Sequence, residues 1–418
     1  MNTRSLFDQF VIPNYGRFDL TIARGEGCRV WTEEGRELID FGAGIAVCSI
    51  GHAHPRVTEA ISKQAATLVH SSNLYRTLPQ AHLAERLVRH VGEPGKVFFC
   101  NSGAEANEGL IKLARKFGSA TGRYEILTLT NSFHGRTMAG ISATGQDKVK
   151  KGFEPLLPGF VHVPANDLEA MRTAIGPKTV AILVEPIQGE SGIHLAKPEF
   201  LRGLRELCDA HNLLLLFDEV QCGLGRTGDW CGWKSIVPEG VTPDGISWAK
   251  GIANGFPLGA FWARARAFDE RGPLCDLLGP GTHGTTYGGN PVMCAASLAV
   301  LDEIEEKDLL RNAKEMGERF AQKLRALNSP LVREVRALGL MIGMEVVGDF
   351  NARIGVSDDG RMASIVLTER LMHAGLLVVP AGASTIRFLP PLNISGANLD
   401  AALGILASVL MSPEIKLA

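Results

Sequence analysis

Two groups of opposite charge stand at the ends of two short apolar runs. Leu213–Phe217 is five apolar residues long, which suits a strand buried on both faces and is too short for a helix. It delivers Asp218 and Glu219 at its C-terminal end, the end that borders the ligand crevice in an open parallel sheet. Ile246–Ala249 is a second such run and leads to Lys250, ahead of the glycine-rich stretch Gly251–Gly259. An acid at one strand end and a lysine at the next would face each other across one crevice. That pair suits pyridoxal phosphate: the amine forms a Schiff base with the aldehyde, and the acid keeps the pyridine nitrogen protonated so that the ring accepts electrons.

Other stretches could complete such a site. Lys96–Cys100 reads as a strand. Asn101-Ser102-Gly103-Ala104-Glu105 follows, then a helix with Ala106, Leu110, Leu113, Ala114 and Phe117 at helical spacing and Gly118 as its stop. Strand, small-residue turn and helix start would aim free N–H groups at one point, a seat for phosphate, although a plain serine N-cap reads equally well. After the strand Glu125–Leu129 comes Ser132-Phe133-His134-Gly135-Arg136, with an aromatic to lie on a flat ring and an arginine to take a carboxylate. Taken singly, the two read as a core phenylalanine and a surface arginine. Val180–Val184 runs into the acidic loop Glu185-Pro186-Ile187-Gln188-Gly189-Glu190, and Arg387 sits in an apolar run where a snorkelling surface arginine is the commoner case. His52 and His54 stand at alternate positions in a loop, a spacing that reads as turn-forming polar residues rather than metal ligands. Gly223–Gly228 matches G-x-G-x-x-G, the mark of a nicotinamide oxidoreductase, but Asp229-Trp230-Cys231-Gly232-Trp233 and Pro238 leave no helix to follow it.

The elements that must hold these residues follow from length and pattern. A chain of 418 residues exceeds one ordinary core, so two domains are expected. A hydrophobic share of 45% with 21% charged residues describes a well-packed protein, and a net charge of -2 gives no reason to expect nucleic acid or an acidic membrane surface. Asp8 and Gln9 interrupt any signal-peptide core, and no apolar run reaches membrane-spanning length. Eight scattered cysteines read as reduced, mostly structural thiols, so a cytoplasmic protein is expected. Repeated strand–helix alternation from about 95 to 260 predicts an α/β fold with a mostly parallel sheet. A hairpin is expected at Arg29–Phe41, helices from Pro55 and Pro79, a long helix opened by Pro291, another near Asp308–Leu327, and short strands and helices from Val332 to Ala418.

NSGAEAN (Asn101–Asn107), FHGRT (Phe133–Thr137), EPIQGE (Glu185–Glu190), DEVQ (Asp218–Gln221) and the following lysine together resemble the class III aminotransferases of the fold-type I pyridoxal-phosphate superfamily. The resemblance runs almost end to end, from Gly25-Glu26-Gly27 to Arg387. It implies a large domain (51–306) with a mostly parallel sheet between helices, including an interdomain helix. A smaller α+β domain would come from both termini (1–50 and 307–418). It makes Lys250 the Schiff-base lysine and Asp218 the pyridinium partner. Gln221 would meet the phenolic oxygen, Val220 and Phe133 opposite ring faces, with His134 beside them and Ser102, Gly103 and Ala104 on the phosphate. Thr285 would reach that seat from the neighbouring subunit of a homodimer. Arg387 would clamp the substrate carboxylate nearest the reacting carbon, Glu190 would mask it in turn, Arg136 would take the farther carboxylate, and Tyr15 would line the pocket. The resemblance extends to SATGQ (Ser142–Gln146) and GFEPLLPGF (Gly152–Phe160), and it implies N2-acetylornithine as amino donor and 2-oxoglutarate as acceptor. Ornithine, succinylornithine and 4-aminobutyrate are the alternatives, with an aminomutase further off. Arg76, Ser191 and the loop Gly251–Gly255 depart from the family's pattern.

Overall fold

The computed structural model describes residues 2–356 and 360–411; the end of the terminal block expected to run to Ala418 lies outside them. The chain opens with the helix Thr3–Phe10, capped by Asn2, which buries none of its residues. β1 (Ile22–Glu26), β2 (Arg29–Thr32) and β3 (Glu37–Asp40) then form an antiparallel meander, of which β2 and β3 are the expected hairpin.

From there strands and helices alternate. β4 (Gly95–Cys100), β5 (Glu125–Leu129), β6 (Phe160–Val163) and β7 (Thr179–Val184) are followed by a small hairpin, β8 (Ile187–Gln188) with β9 (His194–Leu195). β10 (Leu214–Asp218), β11 (Gly245–Trp248) and β12 (Gly259–Arg264) complete a seven-stranded sheet in the order β4-β12-β11-β10-β7-β5-β6. β10 pairs in parallel with β7 and β11, and β5 with β6 and β7. β12 runs antiparallel to both its neighbours, and its sequence gave no expectation of a strand. Its first residue must be glycine, because a β-carbon on Gly259 would lie 2.3 Å from the Ser102 carbonyl oxygen.

The central strand is buried along its whole length. Leu214 and Leu216 pack with Leu110, Leu113 and Phe117 of the helix Gly103–Gly118. Leu215 and Phe217 point the other way, with Leu201, Leu204 and Leu207 of the helix Pro198–His211. Each such side chain contributes about 1.5–3 kcal/mol of burial, which explains an unbroken apolar run where a one-sided strand would alternate. Gly223–Gly228 forms successive turns and is followed by one 3-10 turn, Gly232–Ser235, so no helix stands behind that glycine motif.

A short hairpin, β13 (Ala267–Asp269) with β14 (Gly272–Pro273), precedes the helices Pro291–Glu306 and Leu309–Ala326. β15 (Val332–Leu338) and β16 (Met341–Val346) open the last sheet. β17 (Leu376–Leu377) leaves it to pair in parallel with β3, joining the two ends of the chain. β18 (Val379–Ala381) and β19 (Thr385–Phe388) return, giving the order β15-β16-β19-β18 with Arg387 on an interior strand.

Glu219, one residue past β10, turns away from the crevice into the core. Its Oε1 accepts from the Trp233 N–H at 2.7 Å, and burial pushes its carboxyl up to about 8. Between the ordinary carboxyl value and about 8 the folded chain keeps a proton that the unfolded chain has released, so stability falls as pH rises through that window. Glu219→Gln should remove this slope. Denaturant unfolding at pH 5.5 and 8.5 should show a smaller difference in the variant than in the parent; equal differences would mean that Glu219 is ionised in the folded protein.

Candidate active site

The parallel strands β10 and β11 end side by side, with Asp218 in register with Ser247. Asp218 and Lys250 line one cavity of about 420 Å³ at those ends, with Ser102, Gly103, Ala104, Phe133, His134, Arg136, Glu190, Val220 and Gln221. Eleven scattered sequence positions thus converge on one ligand-sized space.

Asp218 is held on three sides. Oδ2 accepts from Asn107 Nδ2 at 2.7 Å and lies 2.8 Å from His134 Nδ1, and Oδ1 accepts from the Val220 N–H at 3.0 Å. Asn107 is fixed in turn: its Oδ1 accepts from Ser247 Oγ at 2.6 Å, and its Nδ2 also donates to the His134 carbonyl. The His134 N–H donates to Thr144 Oγ1. Asn107, Ser247 and Thr144 were not singled out from the sequence. One signal was there: Asn107 stands three residues before Leu110 and seven before Ala114, in the buried row of its helix, where a polar side chain needs a partner.

Lys250 has φ +43, a left-handed conformation that carries the chain into the turn Lys250–Ala253. Burial lowers its amine from the usual lysine range, against the opposing pull of Glu190, with Arg387 adding to the lowering. Glu185, at the end of β7, is buried and its Oε2 accepts from the Phe133 N–H at 3.0 Å. Burial, with Asp218 nearby, raises its carboxyl well above the ordinary range. The acidic loop after β7 therefore brings two carboxyl groups of different character into the cavity.

At the cavity's other end, Ser102 caps the helix Gly103–Gly118, its Oγ accepting from the Glu105 N–H at 3.2 Å. The serine cap, set against a phosphate seat from sequence, takes up the Glu105 N–H, while Ser102, Gly103 and Ala104 at the helix start line the cavity. Gly103 must lack a β-carbon, which would lie 2.8 Å from Val220 Cγ1.

Arg387 is almost wholly buried and corrects the expectation of a snorkelling surface arginine. Nη1 donates to Glu190 Oε1 at 3.0 Å and to Gln221 Oε1 at 3.3 Å, while Nη2 donates to Glu190 Oε2 at 3.3 Å and to the Pro380 carbonyl. This is a two-point grip of guanidinium on carboxylate. Burial pushes the Glu190 carboxyl up, but Arg387 and Lys250 outweigh it and hold it below its ordinary value. Gly189 lies close under this group: a β-carbon there would lie 2.1 Å from Gln221 Oε1 and would push that side chain out of its present position. Phe133 and Arg136, read singly as core and surface, both line the cavity, with the Arg136 guanidinium 5.5 Å from the Phe133 ring centre.

Three positions stand apart. Tyr15 is exposed beside Arg17, on a segment that buries little, and does not line the cavity. Arg76 is exposed and also outside it. Thr285 does not line the cavity of its own chain; its Oγ1 accepts from Asn101 Nδ2 at 3.2 Å.

Comparison with known proteins places this geometry. Residues 11–410 match the family described as Aminotransferase class-III. The acetylornithine aminotransferase of Gloeobacter violaceus is 46% identical over 98% of each chain. Among solved structures, the ornithine aminotransferase of Toxoplasma gondii ME49 superposes with a TM-score of 0.89 at 30% identity, covering 98% of this chain and 94% of its own. The N-acetylornithine aminotransferase of Stenotrophomonas maltophilia K279a gives 0.79 at 33%, covering 97% of each.

The Glu190–Arg387 grip generates a prediction. Glu190→Gln keeps the shape but removes the anion that occupies Arg387, so a small dicarboxylate such as glutarate should bind about tenfold more tightly, some 1.4 kcal/mol. Calorimetric titration reads this directly; an unchanged Kd would show that Arg387 does not receive the ligand's carboxylate.

Proposed function

This chain belongs to the class-III aminotransferases, and from that premise we propose that it moves the terminal amino group of N2-acetylornithine to 2-oxoglutarate. One observation carries the reading: Lys250 and Asp218 share a cavity whose far end is the open start of a helix. The residues fit pyridoxal phosphate. Ser102, Gly103 and Ala104 would hold its phosphate, Phe133 and Val220 its ring faces, Gln221 its phenolic oxygen, and Asp218 its ring nitrogen. Bound there, the cofactor supplies an aldehyde for amines and a ring that takes up the electron pair released when a neighbouring C–H bond breaks.

The chain's own groups do the rest. Lys250 anchors the cofactor and moves a proton to and from the substrate carbon. Its lowered ammonium leaves more free amine near neutral pH, which a base requires. Asp218, fixed by Asn107, His134 and the Val220 N–H, keeps a negative charge aimed at one spot without reorganising during the reaction. The Arg387–Glu190 pair lets one pocket serve two kinds of substrate. While Glu190 covers Arg387 the site accepts the amino donor; when Glu190 moves aside, Arg387 takes a carboxylate of the oxo acid and Arg136 the other. Acetylornithine is favoured by the curated relatives of similar length, and ornithine is the second reading because solved neighbours include ornithine aminotransferases.

Thr285 is read as reaching the phosphate seat of a neighbouring subunit. Tyr287 on its loop is exposed, as are Leu74, Tyr75 and Leu78 on the segment that Asn73 joins to that loop by donating Nδ2 to the Gly288 carbonyl. An apolar patch of this kind suits a homodimer contact.

Lys250→Ala should abolish both turnover and the visible absorbance change when pyridoxal phosphate is added. Retention of both would refute the assignment of Lys250. For the parent enzyme, a panel of N2-acetylornithine, succinylornithine, ornithine and 4-aminobutyrate with 2-oxoglutarate should give the highest kcat/KM for the first. A higher value for ornithine would shift the substrate reading and leave the reaction class intact.

A further inference from the structure

A second set of chemically complementary groups lies behind the loop that follows Lys250. Cys48 Sγ is 3.6 Å from His52 Nδ1, and His52 Nε2 is 2.7 Å from Asp40 Oδ2. A thiol, an imidazole and a carboxylate in that order form a nucleophile, its proton partner and an orienting group. Each is locked in place. His52 exchanges backbone hydrogen bonds with Gly27 on both sides, at 2.8 and 3.0 Å, and its ring packs so closely on Gly25 that no β-carbon would fit there. The other oxygen of Asp40 accepts the N–H groups of Gly42 and Ala43 at 2.8 and 2.9 Å. Those bonds start a turn in which Ala43, Gly44, Ile45 and Ala46 are all left-handed, with φ of +46, +64, +66 and +61. The turn ends by binding the Cys48 N–H to the Ala43 carbonyl at 2.9 Å, so the carboxylate that orients His52 also sets the position of the thiol.

Two further observations connect the set with chemistry. Asp40, with Cys48 contributing, pushes His52 up to about 10, so an imidazolium faces the sulfur at neutral pH. The sulfur also borders the cavity's rim: a β-carbon on Gly255 would lie 3.8 Å from it, and both Gly255 and Val47 line the cavity. The expectation of mostly structural thiols therefore suits the six buried cysteines, while Cys48 and Cys275 are half-buried.

We propose that Cys48 is a modification site that exchanges with low-molecular-weight disulfides, served by His52 and Asp40, and that the adduct closes the rim of the active-site cavity. The Cys48 sulfur attacks one sulfur of the reagent, forming a new S–S bond as the reagent's S–S bond breaks. The displaced sulfur leaves with the electron pair and takes up a proton from solvent, in place of the one that Cys48 releases to solvent as its thiolate forms beside the His52 imidazolium. Cys48 is oxidised and the reagent is reduced to one thiol, so no further oxidant is needed. The added group then presses on Gly255 and its neighbour Phe256, both of which line the cavity.

The test treats the full-length holoenzyme at pH 7 with bis(2-hydroxyethyl) disulfide and maps adducts by peptide mass spectrometry. Cys48 should be labelled about tenfold faster than Cys275, the internal reference of similar exposure. His52→Asn and Asp40→Asn should each slow Cys48 about tenfold and leave Cys275 unchanged. A faster Cys275 in either variant reports unfolding and directs the comparison to the other. Labelling should lower turnover, a thiol reductant should restore it, and Cys48→Ser should be fully active and insensitive. Equal rates at Cys48 and Cys275, or a Cys48 rate unmoved in both folded variants, overturns the proposal. Labelled enzyme with full turnover overturns the link to the cavity. Because the mapped rates do not depend on turnover, failure here is distinguishable from failure of the aminotransferase reading.

Discussion

A carboxylate taken out of water must be met on every side, and Asp218 is the point at which this protein meets that demand. Its oxygens are engaged by an amide, an imidazole and a backbone N–H, each supplied by a different part of the chain. Hydrogen bonds to an ionised group contribute about 1.5–3 kcal/mol apiece, and a buried charge without them costs several. The helix Gly103–Gly118, the turn around His134 and β11 with Ser247 are therefore fixed relative to β10. The sheet order that puts β11 and β7 beside β10 serves this one group.

Around that fixed point the chain accepts local strain. Lys250 and the run Ala43–Ala46 sit in the left-handed region, where residues other than glycine pay about 1–2 kcal/mol each. Such conformations persist only where neighbours over-determine them. Asn254 supplies one such restraint: its side chain accepts from the Ile50 N–H at 2.9 Å and donates to the Gly51 carbonyl at 2.8 Å, joining the two strained segments. Lys250 itself lines the cavity, and the strained run Ala43–Ala46 ends one residue before Val47, which lines it too.

The electrostatics of the cavity are deliberately unequal. Glu190 is drawn down by Arg387 and Lys250, while Glu185 is pushed up by burial and by Asp218. One loop of six residues thus supplies two carboxyl groups shifted in opposite directions, a few residues apart. Lys250, lowered by burial, faces both.

The sequence alone determined the elements whose signal is local. The apolar run before Asp218, the helix after Ser102, the hairpin at Arg29–Phe41 and the proline-opened helix at 291 all appear near their expected bounds, because burial periodicity and capping chemistry act within a few residues. The motifs also named most of the residues that line the cavity. Tertiary structure alone decided what those residues touch. Asn107 meets Asp218 across 111 positions, Arg387 meets Glu190 across 197, and β12 reverses direction to fit between β11 and β4. Arg387 looked like a surface arginine because a flanking apolar run says nothing of a carboxylate arriving from another sheet. Asp40 was expected in a hairpin and His52 in a loop beyond it, with nothing to join them to Cys48, because a left-handed turn leaves almost no trace in residue type. Contacts between distant segments depend on how whole strands and helices pack, and that information is spread over the fold rather than written at any one position.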